Sequence, residues 1–575
     1  MRKSTIIFLS CALIIAFALI GCSDSDITDD ERVEVDKEQK IDEEASKNGE
    51  EIIEKKLENP AFNRKNTLTV AASGLNGIFN PVLANSKSDL WVTEAIFDPL
   101  VKYNKKGIID NNAIAKDWEI SEDGLTYTFY LNEGIKFHDG EELTSNDVAF
   151  TYYTIADSNF EGNKSSIVED IVGVDAYREG YVDTIQGIEI IDDYSIAFSI
   201  ESPDVNKLHD FNCGIIPEHY YSYNSWDEFI SKLDIPMGSG ILKFVNYEDN
   251  SYIEMEKNLN YYKETSKVDN VIINVIPIET QPIALAKGDV DIANSLANME
   301  TYEIITETEI ANVIEVSSDF YRYIGLNLRK EKFGDVRVRQ ALAYGIRMHE
   351  FIESEWKGFA KPIYYPMLPD SQMAPDEDNI DKYEYNIEKA QALLAEAGWI
   401  KNSEGLLVKD GEQFNIKWLT YSESQWPFQL IKFAENNWGE LGITIDVHVL
   451  DFEEFYRRVF ELQDFDVWNM SWSLPKKPNF YDYFHSDSSK PEGFNAGGFM
   501  NQESDQLIEE ALKEHDQNER NNLYKSLGAM INKELSYIFI SMDIETWGIN
   551  NRVKNMELNP FSSWVDNLEN IELKY

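Results

Sequence analysis

The sequence predicts an α/β protein, and three observations carry that expectation. Short runs alternate apolar and polar residues with period two, as in 126–131, where Tyr127, Phe129 and Leu131 share one face; such runs read as half-buried strands. Other stretches repeat at helical spacing and carry recognisable ends, as in 386–397, with Asn386 as N-cap and Gly398 as terminator. These patterns alternate over roughly 510 residues without a fixed-period repeat, which favours packed α/β domains over a solenoid or propeller.

The N-terminus has a different character. Arg2 and Lys3 precede an apolar run from Ile6 to Ile20, with small residues just before Cys22, and this is the pattern of a signal peptide over 1–22. The run falls short of the roughly 20 residues that a spanning helix needs, and an acidic stretch follows at once. Leu19-Ile20-Gly21-Cys22 resembles the lipobox of bacterial lipoproteins, which implies cleavage before Cys22 and a lipid on its sulfur. Cys11 would leave with the signal and Cys22 would carry the lipid, so Cys213 remains alone in the body and no internal disulfide can form. Beside Phe211 and Ile215 it reads as a small buried apolar residue. From Ser23 to Pro60 there are fifteen acidic residues, six basic ones and no aromatic ring, so residues 23–65 are expected to hold a solvated tether ahead of the folded body.

In the body, 67–71 reads as a first strand, 75–81 as the irregular loop after it, and 91–101 as helical but for Pro99. The strand at 126–131 and a second at 135–138, ending in Asp139-Gly140, suggest a hairpin. Thr144 and Asp147 have the spacing of a capping box ahead of an apolar run. Helices are expected at 335–348 and 386–397, and further strands at 271–278, 414–419 and 443–450.

Charge and motif content exclude several activities. With 103 acidic against 52 basic residues, and a formal net charge of −51, nucleic acid is not an expected partner. There is no phosphate-loop motif, so ATP hydrolysis is not expected here. Ser239 between Gly238 and Gly240 is too tight for a nucleophile elbow and reads as a turn. His349-Glu350 is followed by Glu353 where a zinc-protease helix needs a second histidine, and the seven histidines are scattered, so no catalytic residue, metal or cofactor is expected. His138 reads as a polar turn residue. Predicted loops are rich in aromatic and amide groups, Trp91, Trp426, Trp472, Trp547, Tyr421 and Asn327, of the kind that line concave ligand sites.

Ordered motifs then carry a resemblance. Ala115, Trp118, Ser121, Asp123-Gly124-Leu125-Thr126-Tyr127-Thr128-Phe129, Gly134 to Gly140 and Leu143-Thr144 with Asp147-Val148 closely resemble the signature of family 5 solute-binding proteins, the peptide receptors of ABC importers. Gly238-Ser239-Gly240, Asn260-Tyr261-Tyr262, Lys287-Gly288-Asp289-Val290-Asp291-Ile292-Ala293, Asp335 to Ala341 and Gly398-Trp399 follow in the same order, so the resemblance runs from about residue 66 to the C-terminus.

That resemblance implies a two-lobed periplasmic-binding-protein type II fold with an inserted domain and a ligand cleft between the lobes. By position the first lobe would take 66–110, 236–316 and 545–575, the insertion 111–235 and the second lobe 317–544. In the insertion Trp118, Tyr127 and Phe137 would pack and Asp139-Gly140 would turn. An extended peptide would be held largely through its backbone. Asp89, Leu90 and Trp91 would grip it from the first lobe, and Asn327, Tyr421, Trp426, Trp472, Ser473, Leu474 and Pro475 from the second. Many relatives have an aspartate where this chain has Pro475, and there it receives the ligand's ammonium group; another acid such as Asp89 would have to serve, or the ligand is long, blocked or not a peptide. The implied partners are peptide, an ABC permease and, through the lipid, the outer face of a membrane, with the protein itself a monomer. Nickel complexes, glycans or a signalling peptide are alternative ligands. A secreted hydrolase and an adhesin are rival functions.

Overall fold

The computed structural model describes residues 59–104, 107–295, 297–474 and 480–575. The signal sequence, the lipidation expected at Cys22, nearly all of the tether and Pro475 lie outside the described residues. An eleven-stranded sheet forms the frame of the body. Its spatial order is Thr444–Leu450, Asn415–Tyr421, Val467–Ser473, Ala311–Leu326, Tyr537–Asn550, Ile292–Ser295, Thr67–Ala72, Asn270–Val275, Tyr252–Lys257 and Leu242–Glu248, with Ala360–Pro362 beside Tyr537–Asn550. Helices lie between these strands in sequence, as expected for an α/β chain.

Two long strands, Ala311–Leu326 and Tyr537–Asn550, run antiparallel through the middle of the sheet and carry it from one half to the other. Their pairing is continuous from Ala311 opposite Asn550 to Ser317 opposite Ile544, breaks, and is regular again from Tyr323 opposite Phe539. Ser318, Asp319 and Phe320 fall in the break. Such a bulge bends the strand and re-aims its side chains, so the sheet turns here and each half has its own core. The first half packs Leu68, Val70, Val271, Ile273, Ile253 and Met255 together with Tyr127 and Phe129 from residues 111–235. In the second half strand alternation separates two cores: Ile324, Leu326, Ile538 and Ile540 face one side, Tyr321, Tyr323, Tyr537 and Phe539 the other.

Residues 115–199 contribute a four-stranded antiparallel sheet in the order Ala115–Ile120, Thr126–Leu131, Ser195–Ser199, Ile188–Asp192. Thr126–Leu131 buries Tyr127, Phe129 and Leu131, the face that the alternation predicts. Its partners are the flanking strands and not 135–138, which makes a single bridge from Lys136 to Glu142 around Gly140. The capping box forms as the spacing predicts: the Thr144 hydroxyl accepts from the first turn of Ser145–Ala156, and the Asp147 carboxylate accepts from Thr144 N at 2.9 Å. The helix expected over 335–348 is two, Val336–Tyr344 and Met348–Trp356, parted at Gly345, whose close fit against Leu441 leaves little room for a side chain.

The folded body also begins earlier than the resemblance implies, since Pro60–Arg64 forms a short helix with Ala61 buried. Arg64 and the fully buried Arg552 both bind the fully buried Asp291 carboxylate, at 2.6 Å from Arg64 Nη2 and 2.7 Å from Arg552 Nε. Thr69 N and Oγ1 each donate to the other carboxylate oxygen at 2.9 Å. This one carboxylate therefore ties the first strand, the turn before Ile292 and the C-terminal segment together.

His138 is a structural histidine. Its Nε2 meets Gly240 O at 3.1 Å and Lys243 Nζ lies on its carbonyl at 3.0 Å, which pins the Gly238–Gly240 turn against the end of the Lys87–Ile96 helix. Burial first, and Lys243 nearby, hold the imidazole down to about 4. Between pH 4 and its unfolded value near 6.5 the unfolded chain binds the extra proton, so stability from this group is present above pH 6.5 and lost as pH falls towards 4. We expect wild type to lose about 2–3 kcal/mol over that window through His138. His138→Gln should flatten the pH dependence of Tm measured from pH 7 to 4, and an unchanged slope would dismiss the account.

Candidate ligand-binding cavity

On the Tyr321 side of the sheet, at the register break, lies a cavity of about 340 Å³. One wall comes from residues 107–120 and 205–209, including Trp118, Ile120 and Leu208; the other from Asp319, Tyr321, Ser473, Leu474 and Tyr483, with Met367, Gln372 and the Gln517–Glu534 helix closing it. Trp118 and Ile120 reach it together because they are two apart on one strand. Beside the cavity, Val205 N donates to Leu512 O at 3.4 Å, at the end of the Gln502–Ala511 helix. Asn521 Nδ2 donates to Gln372 Oε1 at 3.1 Å and joins the 366–373 loop to the long helix. A largely apolar, aromatic lining with a few polar groups is the usual make-up of a small-molecule site.

Two charged groups stand on this wall. Asp319 is exposed and sits on the bulge; Leu474 N donates to its carbonyl at 2.6 Å, and Ser473 Oγ donates to its Oδ2 at 2.9 Å. Arg520 is half-buried, its Nη1 donating to Glu514 O at 2.6 Å and its Nη2 to Gln517 Oε1 at 2.5 Å. Burial pulls its guanidinium below the ordinary value. Burial also holds the Tyr321 hydroxyl well above the ordinary phenol range, so it stays protonated at any physiological pH.

Of the residues expected to grip a ligand, Ser473 and Leu474 line this cavity. Trp472 lies beneath it, its ring 5.3 Å from that of Tyr483 and 6.0 Å from that of Phe460. Asn327 is buried away from the cavity and donates to Phe465 O at 3.0 Å, joining two strand ends. Trp91 is in the first core, 5.8 Å from Trp547 and 6.1 Å from Trp564. Leu90 lines a separate hollow of about 170 Å³ with Glu94, Lys102 and Asp566. Asp89 is fully buried; it accepts from Asn76 N at 3.0 Å, and burial, opposed by its hydrogen bonds, raises its carboxyl above the usual range.

Tyr421 packs on Phe455 at 5.1 Å in the core of the cavity's face, and burial pushes its hydroxyl up to about 12. Trp426 lies on the opposite face. It flanks Arg322, whose Cζ is 5.7 Å from its ring and 4.5 Å from that of Trp356, and Arg322 itself clasps Asp543 across the register break. Because Tyr321 and Arg322 are adjacent in one strand, they point to opposite sides, and Trp426, which packs on Arg322 and reaches the Tyr421 side chain at the strand end, does not line the cavity. The loops predicted around the aromatic residues are mostly regular structure: Trp91 and Trp426 are helical, and Trp472, Tyr421 and Trp547 belong to strands.

Trp118 packs against the first core as expected and also lines the cavity, which sequence reasoning did not anticipate; Asp319 and Arg520 it missed altogether. The run Ser317-Ser318-Asp319 inside an otherwise apolar strand is the signal that could have exposed the bulge. Arg520 lies in a polar helix stretch with nothing to distinguish it. Among the described residues no group of three or more His, Cys, Asp or Glu side chains could hold a metal ion, and no helix is long and apolar enough to cross a membrane.

Residues 111–492 match the family described as bacterial extracellular solute-binding proteins, family 5 Middle. The oligopeptide-binding protein AppA of Bacillus subtilis is 26% identical over 550 residues, spanning 94% of this chain and 93% of its own. Its structure in complex with a nonapeptide aligns over 88% of this chain and 98% of that one, with TM-score 0.61 and 25% identity. Heme-binding protein A of Haemophilus influenzae is also 26% identical, over 485 residues, covering 82% of this chain and 85% of its own. The unliganded open form of the murein tripeptide-binding protein MppA shares the fold with TM-score 0.76 at 18% identity, over 88% of this chain and 97% of that one. A two-lobed α/β body, motifs in family order along its length and a match over most of the chain make this protein a member of the family 5 extracellular solute-binding proteins.

Proposed function

We propose that this protein is the substrate-binding component of an ABC importer, that its solute is a peptide, and that it neither hydrolyses ATP nor alters the ligand. The observation that carries this reading is the cavity of about 340 Å³ whose walls come from both sides of the register break, so that ligand can bridge the lobes. The peptide-binding names of relatives such as AppA support the choice of ligand. In the same proposal the first lobe takes 66–110, 236–316 and 545–575 after the short Pro60–Arg64 helix, the insertion 111–235 and the second lobe 317–544. The bulge at 318–320 is the hinge at which the lobes open and close. Cys22 carries the lipid that holds the monomer on the outer face of the membrane, from which it delivers ligand to a permease. Mass spectrometry of small molecules released by denaturing the purified protein tests the ligand class. Peptides are the expected result; haem or a nickel chelate, with no peptide, would keep the family and overturn the peptide reading.

A further inference from the structure

A peptide held through its backbone is bound with little regard to its side chains, yet one wall of this cavity is chemically selective. Tyr321, Phe480, Phe484 and Tyr524 bring aromatic rings to it, and Met367 and Met373 add two thioethers. The rings converge because Phe480 and Phe484 lie one turn apart on the short Phe480–Phe484 helix, and Phe480 packs on Tyr524 with ring centroids 5.0 Å apart. Tyr321 reaches the same wall from the long strand beside the bulge. A ligand ring placed here meets other rings, with sulfur atoms that adapt to its outline. A carboxylate in its place would lose its water without gaining a partner from them.

The loop at 366–373 supplies a polar group on this wall. Ser371 N donates to Leu368 O at 3.0 Å and Ala374 N donates to Ser371 O at 3.2 Å, so consecutive turns fix the loop backbone. Asn521 ties the neighbouring Gln372 to the long helix. The Ser371 hydroxyl is buried and has no hydrogen-bond partner among the described residues. A buried polar atom of this kind calls for a partner, and a site that holds one in waiting favours the ligand that brings it.

We propose that the cavity selects peptides that carry an aromatic residue, tyrosine above phenylalanine, with Ser371 as the specificity-determining residue. This rests on the peptide-binding reading and deepens it. The ligand ring lies against the Phe480, Phe484 and Tyr524 wall, and its phenol hydroxyl shares a hydrogen bond with the Ser371 hydroxyl. Phenylalanine gains the same ring contacts but leaves Ser371 alone, which costs more than an exposed hydroxyl would because the group is already out of water. The volume agrees: about 340 Å³ is near the small end of the ~300–1,000 Å³ of ligand pockets, room for one large side chain with its adjoining backbone.

The test offers the purified protein an equimolar pool of random peptides of two to nine residues and sequences the retained ones by mass spectrometry. Retained peptides are expected to carry an aromatic residue, with tyrosine enriched over phenylalanine. In isothermal titration of one such peptide, changing its tyrosine to phenylalanine should weaken binding about tenfold, and changing it to alanine roughly a hundredfold. Ser371→Ala should erase the gap between the tyrosine and phenylalanine peptides and keep the gap between phenylalanine and alanine, a pattern that general damage to the site would not give. If retained peptides show no aromatic preference, or charged residues are enriched instead, the proposal fails while peptide binding stands. Equal binding of the tyrosine and phenylalanine peptides by wild type removes Ser371 from it. If no peptide is retained but haem or a nickel chelate binds, the peptide reading fails first. The wild-type comparisons need no variant, so poor folding of Ser371→Ala leaves the test intact.

Discussion

Asp291→Asn is expected to destabilise the body by about 3–5 kcal/mol, the usual consequence of removing one partner from a buried charge cluster. Asp291 and Arg552 are both fully buried, and Arg64 completes the cluster. The carboxylate accepts five hydrogen bonds, from Arg64 Nη2, Arg552 Nε and Nη2, and Thr69 N and Oγ1. An amide in its place offers one acceptor oxygen and turns an NH2 group towards donors, while two guanidinium charges lose their counter-ion. The preceding turn depends on Gly288, at φ 74°, whose carbonyl accepts from Arg64. The loss should therefore spread to the first strand, the Ile292–Ser295 strand and the C-terminal segment. Thermal unfolding is the measurement, with a fall in Tm of roughly 3–5 °C expected for a body of this size. Asp289→Asn, two residues away in the same motif but exposed, should change stability by about 0.5 kcal/mol or less. Equal effects from the two would mean that bulk charge, and not the cluster, matters.

The contrast between those two aspartates shows what the sequence could and could not reveal. Periodicity and capping chemistry are local, so the Thr126–Leu131 face, the Thr144/Asp147 capping box and the Asn386 N-cap were legible from a few residues each. The break at Gly345 was not; glycine caps the first helix where an added side chain would meet Leu441, nearly a hundred positions away. The same holds for 135–138: its composition suits a strand, but Thr126–Leu131 already has a neighbour on each edge. For the site, the order of motifs led to Ser473 and Leu474, which do line the cavity. It gave no means of telling which face of the sheet a residue such as Trp426 would occupy. That depends on strand parity through a register break, and Asp319 lies in the break itself. Trp118 packs on the first core as expected, but its second role was hidden for a related reason, since an indole half-buried against a core and one that also lines a cavity have the same alternation until the opposite wall is known.

Trp118→Ala is expected to weaken ligand binding roughly ten- to seventy-fold, while Trp426→Ala leaves it within about twofold. A ligand in the cavity that covers about 60–100 Å² of the Trp118 indole gains about 1.5–2.5 kcal/mol at ~25 cal/mol/Å², and truncation forfeits that gain. Trp426 stands across the sheet, against Arg322 and Trp356, so its loss removes a cation–π contact at the register break and no wall of the cavity. Titrating both variants and wild type with the same peptide separates the two faces, and thermal melting of each shows whether the fold has survived. A large loss at Trp426 with little at Trp118 would move the ligand to the Arg322 side. Weakening by both would mean that ligand spans the two long strands, so that Arg322 and Asp543, which clasp each other across the break, also sense its arrival. The expected asymmetry follows from one feature of the chain: Tyr321, which lines the cavity, and Arg322, against which Trp426 packs, are neighbours in a strand and point to its opposite faces.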